Sequence, residues 1–316
     1  MRVLLIGGGG FVGSHLTSAL QQHGHMVFSA DLPAVAAASS EVLPVDLTVP
    51  ETIDRVLKET HPDRIFLLAA MSSVAMSWEK PDVAVAVNIG GALNVFQSVA
   101  QNAPGARLIY IGSGEEYGTL CSEEHPFAED MPGNPGNPYA VTKFATGRLF
   151  DLLAGKRGID CVHLRPFNHY GPRQRNGFVI ADFCSQIARA ENGSGPRRIR
   201  VGNLAVRRDF LFVEDVIDAY CRIAEAEQAP PHRVYNLSTG TAYSLQYILD
   251  FLVSQATVEI EVEIDPAKFR PVEIPVLIAS NSRIGEDFGW RPATSLETGL
   301  RKTLDWWREQ TRPQPK

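Results

Sequence analysis

The residues Arg2-Val3-Leu4-Leu5-Ile6 run straight into four glycines and then Phe11-Val12-Gly13. An apolar run without alternation has the character of a strand buried on both faces, and residues 11–23 follow it with helical periodicity. Between the two, Gly7, Gly10 and Gly13 stand three apart. Glycines at a strand-to-helix turn let the backbone come close to a pyrophosphate, whose charge meets the free N–H groups at the helix start. This predicts a dinucleotide site with Gly7, Gly10, Phe11, Val12 and Gly13 at its phosphate end. An ordinary glycine-rich turn is the competing reading, and the strand–turn–helix context weighs against it.

The rhythm set by that first unit continues. Val3–Ile6, Met26–Ser29, Arg64–Leu68, Arg107–Ile111 and Asp160–Leu164 read as strands, with helices expected around 11–23, 51–59, 82–102 and 139–155. Alternating β and α with buried-type strands predicts an α/β fold, a Rossmann-type doubly wound parallel sheet. After Leu164 the rhythm degrades, and Pro, Gly, Asn and Arg cluster at 165–177 and again at 192–209, the latter reading as a loop rather than a linker. A helix at 214–226 and a strand at Arg233–Leu237 are expected to rejoin the sheet. The predicted division is therefore a nucleotide-binding domain of residues 1–168 with 209–237, and a smaller lobe of residues 169–208 and 238–316.

A chain of 316 residues with 44% apolar content can bury a full core. Its formal net charge of -6 gives no general attraction to nucleic acid or to an anionic membrane. The short basic stretches Arg197-Arg198-Ile199-Arg200 and Arg207-Arg208 suit a small phosphate-bearing ligand or a solvated face equally. Cys121, Cys161, Cys184 and Cys221 stand far apart with no metal-ligand spacing, so reduced thiols in a cytoplasmic protein are expected, and no metal. The start is too short in apolar residues for a signal peptide, and no stretch reads as a membrane span.

Asp31 ends the second expected strand. A carboxylate there can accept both ribose hydroxyls of an adenosine and repels a 2′-phosphate, which favours NAD(H) and leaves NADP(H) open; a turn or capping role is the alternative. Asp46, followed by Leu47 in Leu43-Pro44-Val45-Asp46-Leu47-Thr48, reads equally as an adenine contact and as a cap.

Tyr139 and Lys143 lie one helical turn apart in Asn137-Pro138-Tyr139-Ala140-Val141-Thr142-Lys143, on one face. A phenol exchanges protons poorly at neutral pH, and an ammonium beside it is expected to lower its pKa. Ser113 falls just past the strand Arg107–Ile111, at the edge where open α/β sheets bind ligands, and its hydroxyl can bond the oxygen that Tyr139 protonates.

Together the Gly7–Gly13 turn, the Ser113 strand end and Pro138–Lys143 resemble the extended short-chain dehydrogenase/reductase family of nucleotide-sugar epimerases, dehydratases and reductases. Four consecutive glycines stand where a Thr-Gly start is commoner. The resemblance implies that Ser113, Tyr139 and Lys143 are catalytic, that Lys143 also holds the nicotinamide ribose, and that Asn88 is a structural residue near the site. Residues 163–174, 177–183, 201–216 and 269–281 resemble the branch that reduces GDP-4-keto-6-deoxyhexoses, close to the GDP-mannose dehydratases. That likeness implies diphosphate contacts from Asn168, Arg208 and Arg270, a ribose contact from Glu273, and a guanine border at Phe178 and Val179. Two arginines held in a site need a planar anionic partner, which agrees with phosphate.

The implied reaction is reduction of a C4 keto group on a GDP-sugar. Glu115 occupies the place of the base that 4,6-dehydratases use, so dehydration stays open, as does epimerisation with retained NAD; a non-catalytic regulator would predict a decayed catalytic group. The resemblance further implies a homodimer, or a tetramer, through helices 82–102 and 139–155. Val83, Val85, Val87, Phe144 and Leu152 there exceed what one sheet face covers.

Overall fold

The computed structural model describes residues 1–119, 122–269 and 274–312, and every element named is drawn from these. The chain begins with β1 (Arg2–Ile6), α1 (Phe11–Gln22), β2 (Met26–Asp31), the short α2 (Pro33–Ala36), β3 (Val42–Pro44), α3 (Pro50–Thr60) and β4 (Arg64–Leu67). It continues through α4 (Val74–Glu79), α5 (Pro81–Val85), α6 (Ala92–Asn102), β5 (Arg107–Ile111), α7 (Pro138–Arg157) and β6 (Cys161–Pro166). A later strand, six elements on, completes the same sheet. Between them come β7 (Asn168–Tyr170), α8 (Val179–Glu191), β8 (Arg198–Val201), β9 (Arg207–Phe212) and α9 (Val213–Glu225), before β10 (Val234–Leu237).

The sheet has seven strands in the order β10-β6-β5-β4-β1-β2-β3, each pair parallel. Strand order reverses between β1 and β4, and a crevice opens beyond their carboxyl ends at such a point. This is the doubly wound sheet that the alternation predicts. One face carries a core that includes Leu16, Leu20, Phe66, Val216 and Tyr220; the other is built around Ile53, Val95, Phe96, Val99 and Phe150. Each such side chain, taken fully out of water, stabilises the fold by about 1.5–3 kcal/mol relative to exposure.

The second lobe is completed by β11 (Ala242–Ser244), α10 (Leu245–Ser254), β12 (Glu261–Ile264), β13 (Val276–Leu277), α11 (Ser282–Phe288) and α12 (Leu296–Gln310). Here β9 is central, pairing with β7, β11 and β13, while β8 pairs with β12. The cluster at 192–209 reads as a loop from its composition, yet it contains β8 and the start of β9, and the cluster at 165–177 contains β7. Short polar strands carry little local signal. Their pairing is supplied by partners far along the chain, as with Asn168 opposite Phe210 and Arg198 opposite Glu261.

Residues 81–102 form one helical stretch, as the periodicity predicts, but Ala86–Gly91 within it winds as a π-turn. By length and composition alone this stretch is apolar enough to cross a membrane, which the sequence reading did not anticipate. In the fold, 44% of its most apolar window is buried, and it packs against α3 and α7 as a core helix. Cys161, Cys184 and Cys221 are buried free thiols that burial pushes upward in pKa, and Cys121 lies outside the described residues. Among the described residues no group of three or more His, Cys, Asp or Glu is placed to hold a metal ion.

Candidate active site

The glycine turn is shaped by contacts that leave no room for side chains. Gly7 has φ +95°, a conformation that glycine adopts without strain, and a Cβ on Gly13 would lie 2.6 Å from the carbonyl oxygens of both Gly7 and Gly8. Gly10 is the N-cap of α1 and offers no side-chain cap, and no acidic residue stands in the first turn. The N–H groups of Phe11, Val12 and Gly13 therefore face outward without an intrahelical acceptor. This cradle fits a diphosphate, with the positive helix end toward it.

Asp31 is the last residue of β2. Its Oδ2 accepts from the Gly9 N–H at 3.0 Å and its Oδ1 from the Leu32 N–H at 2.8 Å, so the carboxylate is held against the glycine turn. Asp46 accepts from both the backbone N–H and the hydroxyl of Thr48 with one oxygen, at 2.9 and 2.7 Å. These bonds close a local turn; the N-cap of α3 is Val49, so Asp46 does not cap that helix. Leu47 is buried, and its carbonyl accepts from Asn94 on α6.

Ser113 ends the β5 edge and is the N-cap of a 3-10 turn, Gly114–Tyr117. Its Oγ accepts from the Glu115 N–H at 3.2 Å, and its hydroxyl lies near enough to the Tyr139 phenol to influence it. Tyr139 stands in the first turn of α7, which Asn137 caps by accepting from the Ala140 N–H at 2.9 Å. Lys143 follows one turn later, buried, donating to the Ile111 carbonyl at 2.7 Å. The structure thus brings Ser113, Tyr139 and Lys143 to the carboxyl edge of β5.

Their electrostatics differ from expectation. Burial pushes the Tyr139 phenol well above its ordinary value, and the nearby Glu115 carboxylate adds to this, outweighing the Ser113 hydroxyl. Lys143 does not counter the shift, because its ammonium turns to the Ile111 carbonyl beneath. Burial also pulls the Lys143 ammonium down to about 8, with Glu116 as the counterweight. The expected acidified phenol is therefore replaced by one held protonated.

Glu115 accepts from the Asn137 amide through Oε2 at 2.6 Å, which joins the acidic turn to the cap of the Tyr139 helix. Asn88, placed inward by the π-turn, accepts from the Met71 N–H at 2.8 Å and donates to Thr142 at 2.9 Å. Thr142 in turn donates to the Tyr139 carbonyl, and Ser77 accepts from the Tyr139 N–H at 3.1 Å. Sequence reasoning missed Ser77, Asn137 and Thr142, which act through the backbone around Tyr139. Asn137 had a signal: Asn immediately before Pro at a helix start is a strong N-cap.

Toward the second lobe, Asn168 opens β7 and pairs opposite Phe210, two residues past Arg208 on β9. Residues two apart on a strand share a face, so the register gathers Asn168 and Arg208 on one small sheet. The half-buried Arg208 donates to the Arg207 carbonyl at 2.9 Å. Phe178 is the N-cap of α8 and Val179 its first residue, both part-buried. The ring of His169 stacks on Phe11 of the glycine turn at 6.0 Å, tying β7 to the phosphate end. Arg270 and Glu273 lie outside the described residues.

Comparison with known proteins agrees with this arrangement. The sequence model of the GDP-mannose 4,6 dehydratase family matches residues 4–303. The chain is 33% identical over 315 residues to GDP-6-deoxy-D-mannose reductase of Pseudomonas aeruginosa, covering 98% of each. Its structure resembles that of RMD from Pseudomonas aeruginosa complexed with NADPH, with a TM-score of 0.86 at 31% identity over 98% of this chain and 100% of that one. It equally resembles UDP-glucose 4-epimerase of Thermus thermophilus in complex with NAD, with a TM-score of 0.86 at 28% identity over 98% and 99%. The chain belongs to the GDP-mannose 4,6 dehydratase family, within the extended short-chain dehydrogenase/reductase group of nucleotide-sugar epimerases, dehydratases and reductases, and it is an enzyme.

Proposed function

We propose that this enzyme reduces the C4 keto group of a GDP-4-keto-6-deoxyhexose, the step that forms GDP-6-deoxy-D-mannose (GDP-D-rhamnose). The observation that carries the reading is the placement of Tyr139, in the first turn of α7, beside Ser113 and Lys143 at the carboxyl edge of β5, where a protonated phenol can give its proton to a carbonyl oxygen. The likeness to a GDP-6-deoxy-D-mannose reductase over 98% of the chain supports the same reading.

A bound reduced nicotinamide supplies the hydride. Tyr139 donates its proton to the C4 oxygen, and the Ser113 hydroxyl steadies the negative charge that develops there. Lys143 holds the nicotinamide ribose from its place above the Ile111 carbonyl. Gly7, Gly10, Phe11, Val12 and Gly13 hold the diphosphate of the cofactor, Asp31 its ribose, and Asp46 with Leu47 the adenine end. Asp31 favours NADH through repulsion of a 2′-phosphate. Asn168 and Arg208 take the diphosphate of the sugar nucleotide, with Phe178 and Val179 bordering its base. In this division residues 1–168 and 209–237 serve the cofactor, and residues 169–208 and 238–316 the sugar nucleotide.

One observation favours a second reading. Glu115 is a part-buried carboxylate beside Tyr139, which is what removal of a C5 proton in a 4,6-dehydratase requires. Its bond to Asn137 engages Oε2 in the helix cap and supports the first reading. An assay in two arms separates them. With GDP-4-keto-6-deoxymannose, a reductase consumes NADH or NADPH absorbance at 340 nm. With GDP-mannose and an oxidised cofactor, a dehydratase forms the keto sugar without net reduction. Product in the second arm alone would replace the reductase reading. Exposed Val83, Val85 and Leu152 on α5 and α7 support a homodimer through that face, in a cytoplasmic enzyme.

A further inference from the structure

Directly beneath the Ser113 turn lies a carboxylate that the proposed reaction does not use. Glu116 is fully buried, with 0% exposure. Its Oε1 accepts from the Ser113 N–H at 2.8 Å and faces His163 Nε2 at 3.0 Å, while Oε2 accepts from Arg165 Nε at 2.9 Å. Glu116 and Ser113 close a reciprocal capping box around the 3-10 turn. A buried charge persists only when its lone pairs are met, and here three donors meet them.

The surroundings are built to admit this group. A Cβ on Gly112 would lie 2.2 Å from Glu116 Oε1 and 2.2 Å from His163 Nε2, and one on Gly147 would lie 2.2 Å from the His163 ring. His163 also packs its ring on Tyr110 at 5.1 Å, and Lys143 Nζ sits 5.2 Å from the Tyr110 centroid on α7. Arg165 lies over the Tyr117 ring at 4.7 Å. The chain commits a glutamate, a histidine and an arginine to a dry interior one residue layer below its reacting groups.

We propose that Glu116 is a positioning residue of the catalytic group: its carboxylate, held between His163 and Arg165, fixes the Ser113 turn against Tyr139. The proposal rests on the Ser113, Tyr139 and Lys143 roles given above, and not on which sugar is reduced. The charged and titratable groups that face this centre are Glu115 and Tyr117 from the 3-10 turn, Tyr110 from β5, Tyr139 and Lys143 from α7, His163 and Arg165 from β6, and Glu129 from the segment before α7. Burial pushes the Glu116 carboxyl up, yet His163, Arg165 and the Ser113 N–H outweigh it and hold the group below the ordinary range. It is ionised wherever the enzyme works.

The test is steady-state kinetics of Glu116→Gln and Glu116→Asp on whichever sugar nucleotide the wild-type enzyme turns over, so an error in the substrate reading leaves it intact. Glu116→Gln is expected to lose about 100-fold in kcat with KM and NADH affinity within about 2-fold, the loss that a small misplacement of a reacting group produces. Its alkaline limb is expected to move about one unit to lower pH, because the influence opposing burial at Lys143 is gone. Glu116→Asp keeps the charge, so it should lose kcat through the shorter reach and leave the limb in place. Should the wild type turn over none of the sugars, an NMR titration of the Lys143 side chain reads the same downward shift in Glu116→Gln. Wild-type kcat and an unmoved limb in folded Glu116→Gln would overturn the proposal. So would parallel loss of kcat, KM and melting temperature in both variants, or failure of both to fold, since each marks a purely structural role.

Discussion

The glycine turn between β1 and α1 and the small sheet around β9 face the same crevice but are built in opposite ways. At the first, the key residues are local: Gly7, Gly10 and Gly13 lie within seven residues, and their lack of side chains makes the close backbone approach possible, with Ala69 and Asp31 closing in from the neighbouring strand ends. At the second, β9 is assembled from β7, β11 and β13, which come from distant parts of the chain and are only two or three residues long. A site made by one turn tolerates change elsewhere. A site made by strand register depends on every partner that sets it.

Variants on the two sides can break or sharpen this contrast. The largest effect is expected from the cofactor side: Tyr139→Phe removes the proton donor and should lower kcat by about 10²–10⁴-fold while NADH affinity stays near wild type. Retention of most turnover would remove Tyr139 from the chemistry. On the small sheet, Arg208→Ala should raise KM for the sugar nucleotide by about 10-fold or more with a smaller change in kcat, as loss of a charge-assisted contact in the ground state does. An unchanged KM would detach the β9 side from substrate binding. Back at the glycine turn, Asp31→Ser should raise the NADPH-to-NADH ratio of kcat/KM by about 10-fold, measured with both cofactors at equal sugar concentration.

The smallest effect concerns how β9 is held. Asp209, beside Arg208, is fully buried and accepts from the Thr239 N–H and hydroxyl and the Gly240 N–H. Burial outweighs these bonds and pushes its carboxyl up to about 7. A carboxyl raised on folding binds protons more tightly in the native state, so its contribution is greatest below the unfolded value near 4 and is lost as pH rises toward 7. Asp209→Asn should therefore flatten the fall of melting temperature between pH 4 and 7 by a few degrees, about 2–4 °C. An unaltered pH profile would show that Asp209 does not set the behaviour of this strand.

The same contrast explains what the sequence discloses. Buried strands such as Val3–Ile6 and the Tyr139–Lys143 spacing depend on periodicity and neighbours, so the large sheet, and the placing of Tyr139 and Lys143 on one helix beside it, could be read directly. The strands β7 and β8 could not, since Asn168–Tyr170 and Arg198–Val201 owe their conformation to partners fixed only in three dimensions. The tuning of Tyr139 was misread for a related reason. Spacing places Lys143 one turn away, but burial and the rotamer that reaches the Ile111 carbonyl decide what its charge does. His163 and Arg165 do alternate along β6 toward one face, a pattern that pairs with the Glu115-Glu116 run only once β5 and β6 are known to be adjacent.

The π-turn at Ala86–Gly91 makes chain length itself a constraint in this enzyme. Each residue of an α-helix advances the direction of its side chains by about 100°, and a π-turn takes up one extra residue by winding wider, so that the segments on either side keep their facing. Deleting one residue from the turn would restore α winding and leave Val95, Phe96 and Val99 in their core, but it would take Asn88 from its place toward Met71 and Thr142. Substitution at 89 or 90 costs what the new side chain costs, whereas a single-residue deletion removes the bulge that presents Asn88.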